Sequence, residues 1–171
     1  MERRENAVRS GGNPVTLLGK ELSIGDKAPD FTALKSDNST ISYEDLKDKI
    51  KVISVVPSVD TGVCELQTIT FNEKAAELGD DVVVMTISMD LPFAQKRFCG
   101  DNDINNSLVL SDHRDASFGK NYGFLMEDTR LLARGVVVID RQGTVHYVEY
   151  VSDTSNHPDY DRAMEEVKKL L

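Results

Sequence analysis

The residues from Lys51 to Met89, KVISVVPSVDTGVCELQTITFNEKAAELGDDVVVMTISM, have the pattern that decides the fold. Two apolar runs of strand length flank a stretch with helical character that ends near Gly79. In such a strand, helix, strand unit the connection is right-handed and the two strands lie parallel in one sheet. We therefore predict an α/β fold in which helices cover a central sheet.

The rest of the chain continues this alternation. Further helices are predicted at residues 91–100 and 160–171, with a helix or loop at 115–124, and further strands at 107–112, 134–143 and 144–152. The turn at Gln142-Gly143 predicts one antiparallel hairpin at the sheet edge.

The N-terminal part of the chain is predicted to add a hairpin that caps the domain. Glycines at positions 19 and 25 interrupt the alternating residues 13–34, which predict a short hairpin and then an extended segment held by Pro29. Residues 40–49 predict a short helical turn or loop. By analogy of arrangement, the predicted fold is thioredoxin-like: a mixed sheet of about four or five strands, flanked by helices, with an added N-terminal β-hairpin.

Length and charge limit the possible organisation and partners. The 171 residues suit one domain at 13–171, preceded by a flexible N-terminal tail at 1–12. The net charge of −9 argues against nucleic acid and anionic membranes as partners. Since no apolar run reaches the length of a membrane span and residues 1–12 lack the apolar core of a secretory signal, we expect a cytoplasmic protein.

Two cysteines, Cys64 and Cys99, are the main candidates for chemistry. In a reducing compartment they are free thiols, catalytic thiols or an intermittent pair. Each follows a strand of the parallel unit, so both belong near the sheet edge where α/β proteins bind ligands. A helix that begins near Pro92 places Cys99 roughly 10 Å from that edge. Because a disulfide needs Cα atoms within about 7 Å, we expect the sulfurs to be apart until residues 95–100 unwind.

The position of Cys64 also predicts a reactive sulfur that is open to oxidant. With Asp60 or Thr61 as the N-cap, Cys64 lies in the first helical turn, where N–H groups favour a thiolate. A neighbouring cation matters more, because a unit charge at ~4 Å contributes about 4 kcal/mol and a helix end only about 0.3–1 kcal/mol. Sequence spacing alone does not identify this cation, and the candidates are Lys96, Arg97, Arg114, Arg130 and Arg134. For Arg134 there is one further argument, that it begins a rigid strand.

One motif makes the chemistry more specific. Pro57, Thr61 and Cys64 have the spacing P-x-x-x-T-x-x-C within PSVDTGVCELQT, and the segments RFCG and LLARGVVVID follow later in the chain. With these segments, the chain from GNPVTLLGKELSIGDKAPDF onward resembles the thiol peroxidase branch of the peroxiredoxins, of the atypical two-cysteine type. Gly135 departs from the pattern, since alanine or serine is expected there, and Ile69-Thr70 stand where a basic residue is common.

This resemblance implies a mechanism and a set of site residues. Cys64 would be the peroxidatic cysteine and Cys99 the resolving one, while Pro57, Thr61 and Arg134 complete the pocket. Cys64 would reduce hydrogen peroxide or an organic hydroperoxide and become a sulfenic acid, which Cys99 converts to an intramolecular disulfide. The family implies thioredoxin as electron donor and a homodimer. A peroxide-sensing relay, which passes the disulfide to a partner protein, shares the first step and is the alternative.

Other motifs point away from cofactors and metals. His113, His146 and His157 are far apart and lack metal-ligand spacing, so we expect no metal. No G-x-G-x-x-G or Walker pattern is present, so no nucleotide cofactor is expected. The lack of a C-x-x-C motif argues against a disulfide reductase, and a binding module with inert core cysteines is the remaining alternative. For the large aromatic residues Phe93, Tyr122 and Phe124 we predict core positions, with a dimer surface as the alternative.

Overall fold

A computed structural model describes residues 1–171 of the chain. The strands are Arg3–Ser10 (β1), Asn13–Leu18 (β2), Thr32–Leu34 (β3), Thr40–Ser42 (β4), Ile50–Val55 (β5), Val82–Ser88 (β6), Leu108–Ser111 (β7), Leu125–Met126 (β8), Gly135–Ile139 (β9) and Val145–Tyr150 (β10). The helices are Gly62–Ala75 (α1), Pro92–Asp101 (α2), Ser117–Tyr122 (α3) and Tyr160–Leu170 (α4), and Tyr43–Leu46 form a 3₁₀ turn.

The central sheet confirms the predicted thioredoxin-like α/β fold. Its seven strands have the order β10-β9-β5-β6-β7-β3-β4, and β5, β6 and β7 are parallel. The predicted hairpin, β9 with β10, is antiparallel and lies at one edge. The sheet exceeds the predicted size because β3 and β4, of three residues each, are too short to show a periodic pattern.

The sheet is buried on both faces, as expected for parallel strands between helices. All six residues of β5 are buried. Alternate residues point to opposite faces: Val52 packs in the cluster that includes Phe71 and Val167 of α1 and α4, whereas Ile53 packs in the larger cluster that includes Phe118 of α3. The strand is therefore a rigid support for the segment that follows it.

The N-terminal hairpin differs from its prediction. Residues 3–10 are not a tail but strand β1, which pairs with β2 through a turn at Gly11-Gly12. Both glycines have positive φ angles, +57° and +85°, which two-residue hairpin turns require. The hairpin therefore begins ten residues before the predicted segment at 13–34. The sequence hides it because β1 is mostly exposed and polar, with Val8 as its one buried side chain.

No helix of this fold combines the length and the apolar character needed to cross a membrane.

Candidate active site

Cys64 is the third residue of α1, directly beyond the loop that follows β5. Thr61 is the N-cap residue, as predicted, although its hydroxyl donates to the Ser58 carbonyl oxygen at 3.3 Å instead of capping the helix. Asp60, the other candidate cap, forms an ion pair with Arg97 at 3.6 Å. The first-turn N–H groups thus have no side-chain cap, an arrangement that favours negative charge at this end of α1.

Among the five candidate cations, Arg134 is the one that contacts the cysteine. Its Nη2 donates to Cys64 Sγ at 3.1 Å, its Nη1 to Gln67 Oε1 at 2.9 Å and its Nε to the Thr154 carbonyl oxygen at 2.9 Å. Arg134 is only 2% exposed. Three hydrogen bonds therefore fix it in one orientation, with one donor directed at the sulfur.

Gln67 is a site residue that the sequence prediction missed. It is fully buried one turn after Cys64, and its Nε2 donates to Ser54 Oγ at 2.8 Å and to the Val55 carbonyl oxygen at 3.3 Å. These bonds orient its oxygen toward Arg134. The i, i+3 spacing from the cysteine would have placed it on the same face of the helix. Thr154 contributes a backbone carbonyl, for which the sequence has no signal.

Cys64 is covered, contrary to the expectation of a sulfur open to oxidant. The residue is 0% exposed, although Thr61 is exposed and Pro57 is half-buried in the loop that precedes α1. Pro57 has no N–H to donate, so it can cover the site without adding a competing donor. A peroxide reaches the sulfur only when side chains or backbone near the surface move.

Cys99 lies in the last turn of α2, which begins at Pro92 as predicted. It is half-buried against the apolar cluster that contains Cys64, Phe98 and Ile104. Both cysteines are free in this structure. Burial raises the pKa of the Cys99 thiol, which keeps it protonated at neutral pH.

One carboxylate joins the loop before Cys64 to the start of the helix that carries Cys99. Asp90, between β6 and α2, accepts from Ser58 Oγ at 2.7 Å, from the Val59 N–H at 2.8 Å and from Ser88 Oγ at 2.6 Å. The sequence prediction did not include Asp90. Its contacts bridge about thirty residues of chain, so neither of the two segments can shift without disturbing them.

Gly135, which departs from the family pattern, is required by close packing. A Cβ at this position would lie 2.1 Å from the Glu149 carbonyl oxygen and 2.5 Å from the Phe124 ring. Neither a paired strand nor a buried aromatic ring can give way easily. The glycine therefore allows β10 and Phe124 to approach the strand end next to Arg134.

Substitution Gly135→Ala is expected to destabilise the protein by about 1–3 kcal/mol, as overpacking of a core does. Urea unfolding measures this change. Gly100→Ala is the matched control, because its Cβ would meet nothing within 4 Å and alanine favours the helix. Equal stability of Gly135→Ala and the unchanged protein would contradict the packing argument.

The predicted aromatic positions are correct for two residues and wrong for one. Tyr122 and Phe124 are fully buried, whereas Phe93 is 72% exposed at the start of α2. Leu66 and Leu91 are also exposed. All three exposed side chains follow β5 or β6, so they surround the same end of the sheet as the cysteines.

Comparison with known proteins agrees with this geometry. Residues 23–164 match the family model described as Redoxin. The chain is 57% identical over 160 residues to a thiol peroxidase of Halalkalibacterium halodurans, covering 94% of this chain and 96% of that protein. It is 54% identical to a thiol peroxidase of Bacillus subtilis, covering 94% and 95%. A peroxiredoxin-like protein from Aquifex aeolicus superposes over the full length of both chains with a TM-score of 0.92 and 42% identity.

Proposed function

Because this chain belongs to the redoxin family, and to its thiol peroxidases, we propose that it reduces hydroperoxides at Cys64 and resolves the product with Cys99. Thiol-dependent peroxide reduction follows from the relatives. The residue assignment is carried by one observation: the buried guanidinium of Arg134 donates to Cys64 Sγ at 3.1 Å.

In the first step the Cys64 thiolate attacks the terminal oxygen of ROOH. The S–O bond forms as the O–O bond breaks, and the departing RO⁻ takes up a proton to give water or an alcohol. Arg134 stabilises the thiolate and then the charge that spreads along the S–O–O axis. In this proposal Thr61, exposed at the N-cap position, offers its hydroxyl to the peroxide once that hydroxyl leaves the Ser58 carbonyl.

In the second step Cys99 attacks the Cys64 sulfenic acid. An S–S bond forms and the sulfenic oxygen leaves as water. Since Cys99 is half-buried in the last turn of α2, this step requires that turn to unwind. A dithiol then reduces the disulfide, and for this donor we propose thioredoxin.

The substitution Cys99→Ser tests the assignment of the resolving cysteine. We expect one equivalent of Cys64 sulfenic acid per chain and no sustained turnover with thioredoxin, thioredoxin reductase and NADPH. Hydrogen peroxide and a bulky alkyl hydroperoxide are compared in the same assay, with a dimedone adduct reporting the sulfenic acid. Sustained turnover in this variant would show that another thiol resolves Cys64. A stable mixed disulfide with one client protein would favour the relay alternative.

The rate of disulfide formation is expected to rise with pH. The thiolate of Cys99 is the nucleophile, and burial raises the pKa of this thiol while α2 is folded, so it is protonated near neutrality before the turn unwinds. Below that pKa the thiolate fraction increases about tenfold per pH unit, and the rate should follow it up to the limit set by unwinding. Stopped-flow measurement of the step after peroxide consumption gives this profile. A rate that is flat between pH 6 and 8 would show that unwinding alone limits the step.

The cellular setting of the enzyme is part of the same proposal. A cytoplasmic location fits the two unpaired cysteines. The exposed Leu66, Leu91 and Phe93 near the cysteines support a homodimer that buries this end of the sheet. Sedimentation of the wild-type chain and of Phe93→Ser measures the oligomeric state.

A further inference from the structure

A cleft lies at the end of the sheet opposite the cysteines. Its volume is about 580 Å³, and Lys51 and Gly143 are among its lining residues. Lys51 is the second residue of β5 and pairs with Ile139 at the end of β9. Cys64 follows the other end of β5, and a strand of this length spans roughly 17–20 Å. The cleft is therefore separate from the peroxide site.

Positive charge is concentrated in this cleft. Four basic residues line it: Lys27, Lys47, Lys51 and Arg141. The lining contains one carboxylate, Asp48, although the chain as a whole has a net charge of −9. Lys47 pairs with Glu44 and Arg141 with Asp81, but these pairs are solvent-exposed and therefore weak. Lys27 and Lys51 have no carboxylate within 4 Å. The cleft thus has a net attraction for anions.

Lys51 is the strongest indication of a ligand. It is 1% exposed, yet its ammonium group makes one hydrogen bond, to the Lys49 carbonyl oxygen at 2.7 Å, and lies 5.2 Å from the centre of the Tyr43 ring. An ammonium has three donors, so two remain without a protein acceptor. Burial lowers the pKa of this group, and the charges of Asp140 and Asp48, which lie beyond ion-pair distance, only partly oppose this. An unpaired buried cation is unfavourable, and the peroxide chemistry does not use it.

We propose that this cleft binds a multivalent phosphate-bearing anion, with Lys51 at its base and Lys27, Lys47 and Arg141 around it. Lysine is a usual point-charge ligand of phosphate, and the volume is within the range of small-molecule sites. The bound anion supplies the acceptors that the Lys51 ammonium lacks. The flexible side chains of Lys27 and Lys47 close over it from the protein surface.

Calorimetric titration with pyrophosphate at low salt tests the proposal. We expect saturable binding of one pyrophosphate per chain, weakened as salt is added. Lys27→Gln should weaken binding severalfold and Lys27→Gln/Lys47→Gln at least tenfold. Lys96→Gln is the matched control, because this exposed lysine of α2 lies at the cysteine end of the sheet. The affinity of this variant for pyrophosphate should equal that of the wild-type protein. No saturable binding, or equal losses in the control and the cleft variants, would overturn the proposal.

Lys51→Met provides a second measurement that separates a binding role from a structural one. The apolar side chain removes an unpaired buried charge, so the unfolding temperature without ligand should rise. The further increase that pyrophosphate causes in the wild-type protein should disappear. A lower unfolding temperature with the pyrophosphate effect retained would contradict the role of Lys51. Citrate is the comparison ligand, and binding as tight as that of pyrophosphate would overturn the assignment to phosphate.

Discussion

Cys64→Ser is expected to have no measurable peroxidase activity. Serine matches cysteine in shape, but its hydroxyl is not ionised at neutral pH and is a far weaker nucleophile toward peroxide oxygen. Because Cys64 is buried in a helix and its carbonyl accepts from Thr68 Oγ1 at 2.8 Å, the variant should keep the fold. Oxidation of NADPH, coupled through thioredoxin reductase and thioredoxin, measures the loss.

The matched control for this result is Cys99→Ser, which removes the other thiol and should still react once with peroxide. Circular dichroism and the unfolding temperature of both variants show whether the fold is retained. If Cys64→Ser kept more than a few per cent of the activity, Cys99 would have to be the group that attacks peroxide. Such a result would reverse the two assignments.

Arg134→Ala is expected to slow the reaction of Cys64 with hydrogen peroxide by about 10²–10³-fold. A unit charge at 3.1 Å from the sulfur contributes about 5 kcal/mol at an effective dielectric of ~20, and water that enters the vacated space replaces part of it. Each 1.36 kcal/mol lost from the transition state is a factor of ten in rate. Stopped-flow fluorescence or competition with a second peroxidase measures the rate constant.

Two further variants show whether the charge of Arg134 or its orientation accounts for the rate of the Cys64 reaction. Arg134→Lys keeps the charge but cannot reproduce the bonds to Gln67 and the Thr154 carbonyl, so an intermediate rate is expected. Arg97→Ala removes only an exposed ion pair with Asp60 and should react at nearly the wild-type rate. A near-normal rate in Arg134→Ala would transfer the role to another cation.

The sequence predicted the elements with strong local signals. The apolar runs of β5 and β6 and the start of α2 at Pro92 are where the pattern placed them. The β1 strand was missed because it is mostly exposed and polar, although it pairs with the neighbouring β2. Backbone bonds to a distant segment also hold it: the Arg9 N–H donates to the Ser152 carbonyl oxygen at 2.8 Å, and the Thr154 N–H to the Arg9 carbonyl oxygen at 2.8 Å. A polar strand held by backbone bonds has no hydrophobic signature.

In the candidate site, too, only the residues with a local sequence signal could be predicted. Cys64 and Thr61 could be located by their place at the start of a helix, since capping is a local property. Arg134 could not be chosen among the candidate cations, because 70 residues separate it from Cys64 and only the antiparallel pairing of β9 with β5 brings it to the cysteine. The burial of Cys64 also depends on the packing of separate segments.

The carboxylate of Asp90 has a consequence for the order of events after oxidation. Cys64 is 0% exposed, so addition of an oxygen to its sulfur requires the adjacent loop to move. The Val59 N–H and the Ser58 hydroxyl hold that loop to Asp90. Asp90 itself lies at the start of the segment that leads into α2. Displacement of the loop therefore disturbs its bonds to Asp90 and, through them, the segment that leads into α2 and Cys99.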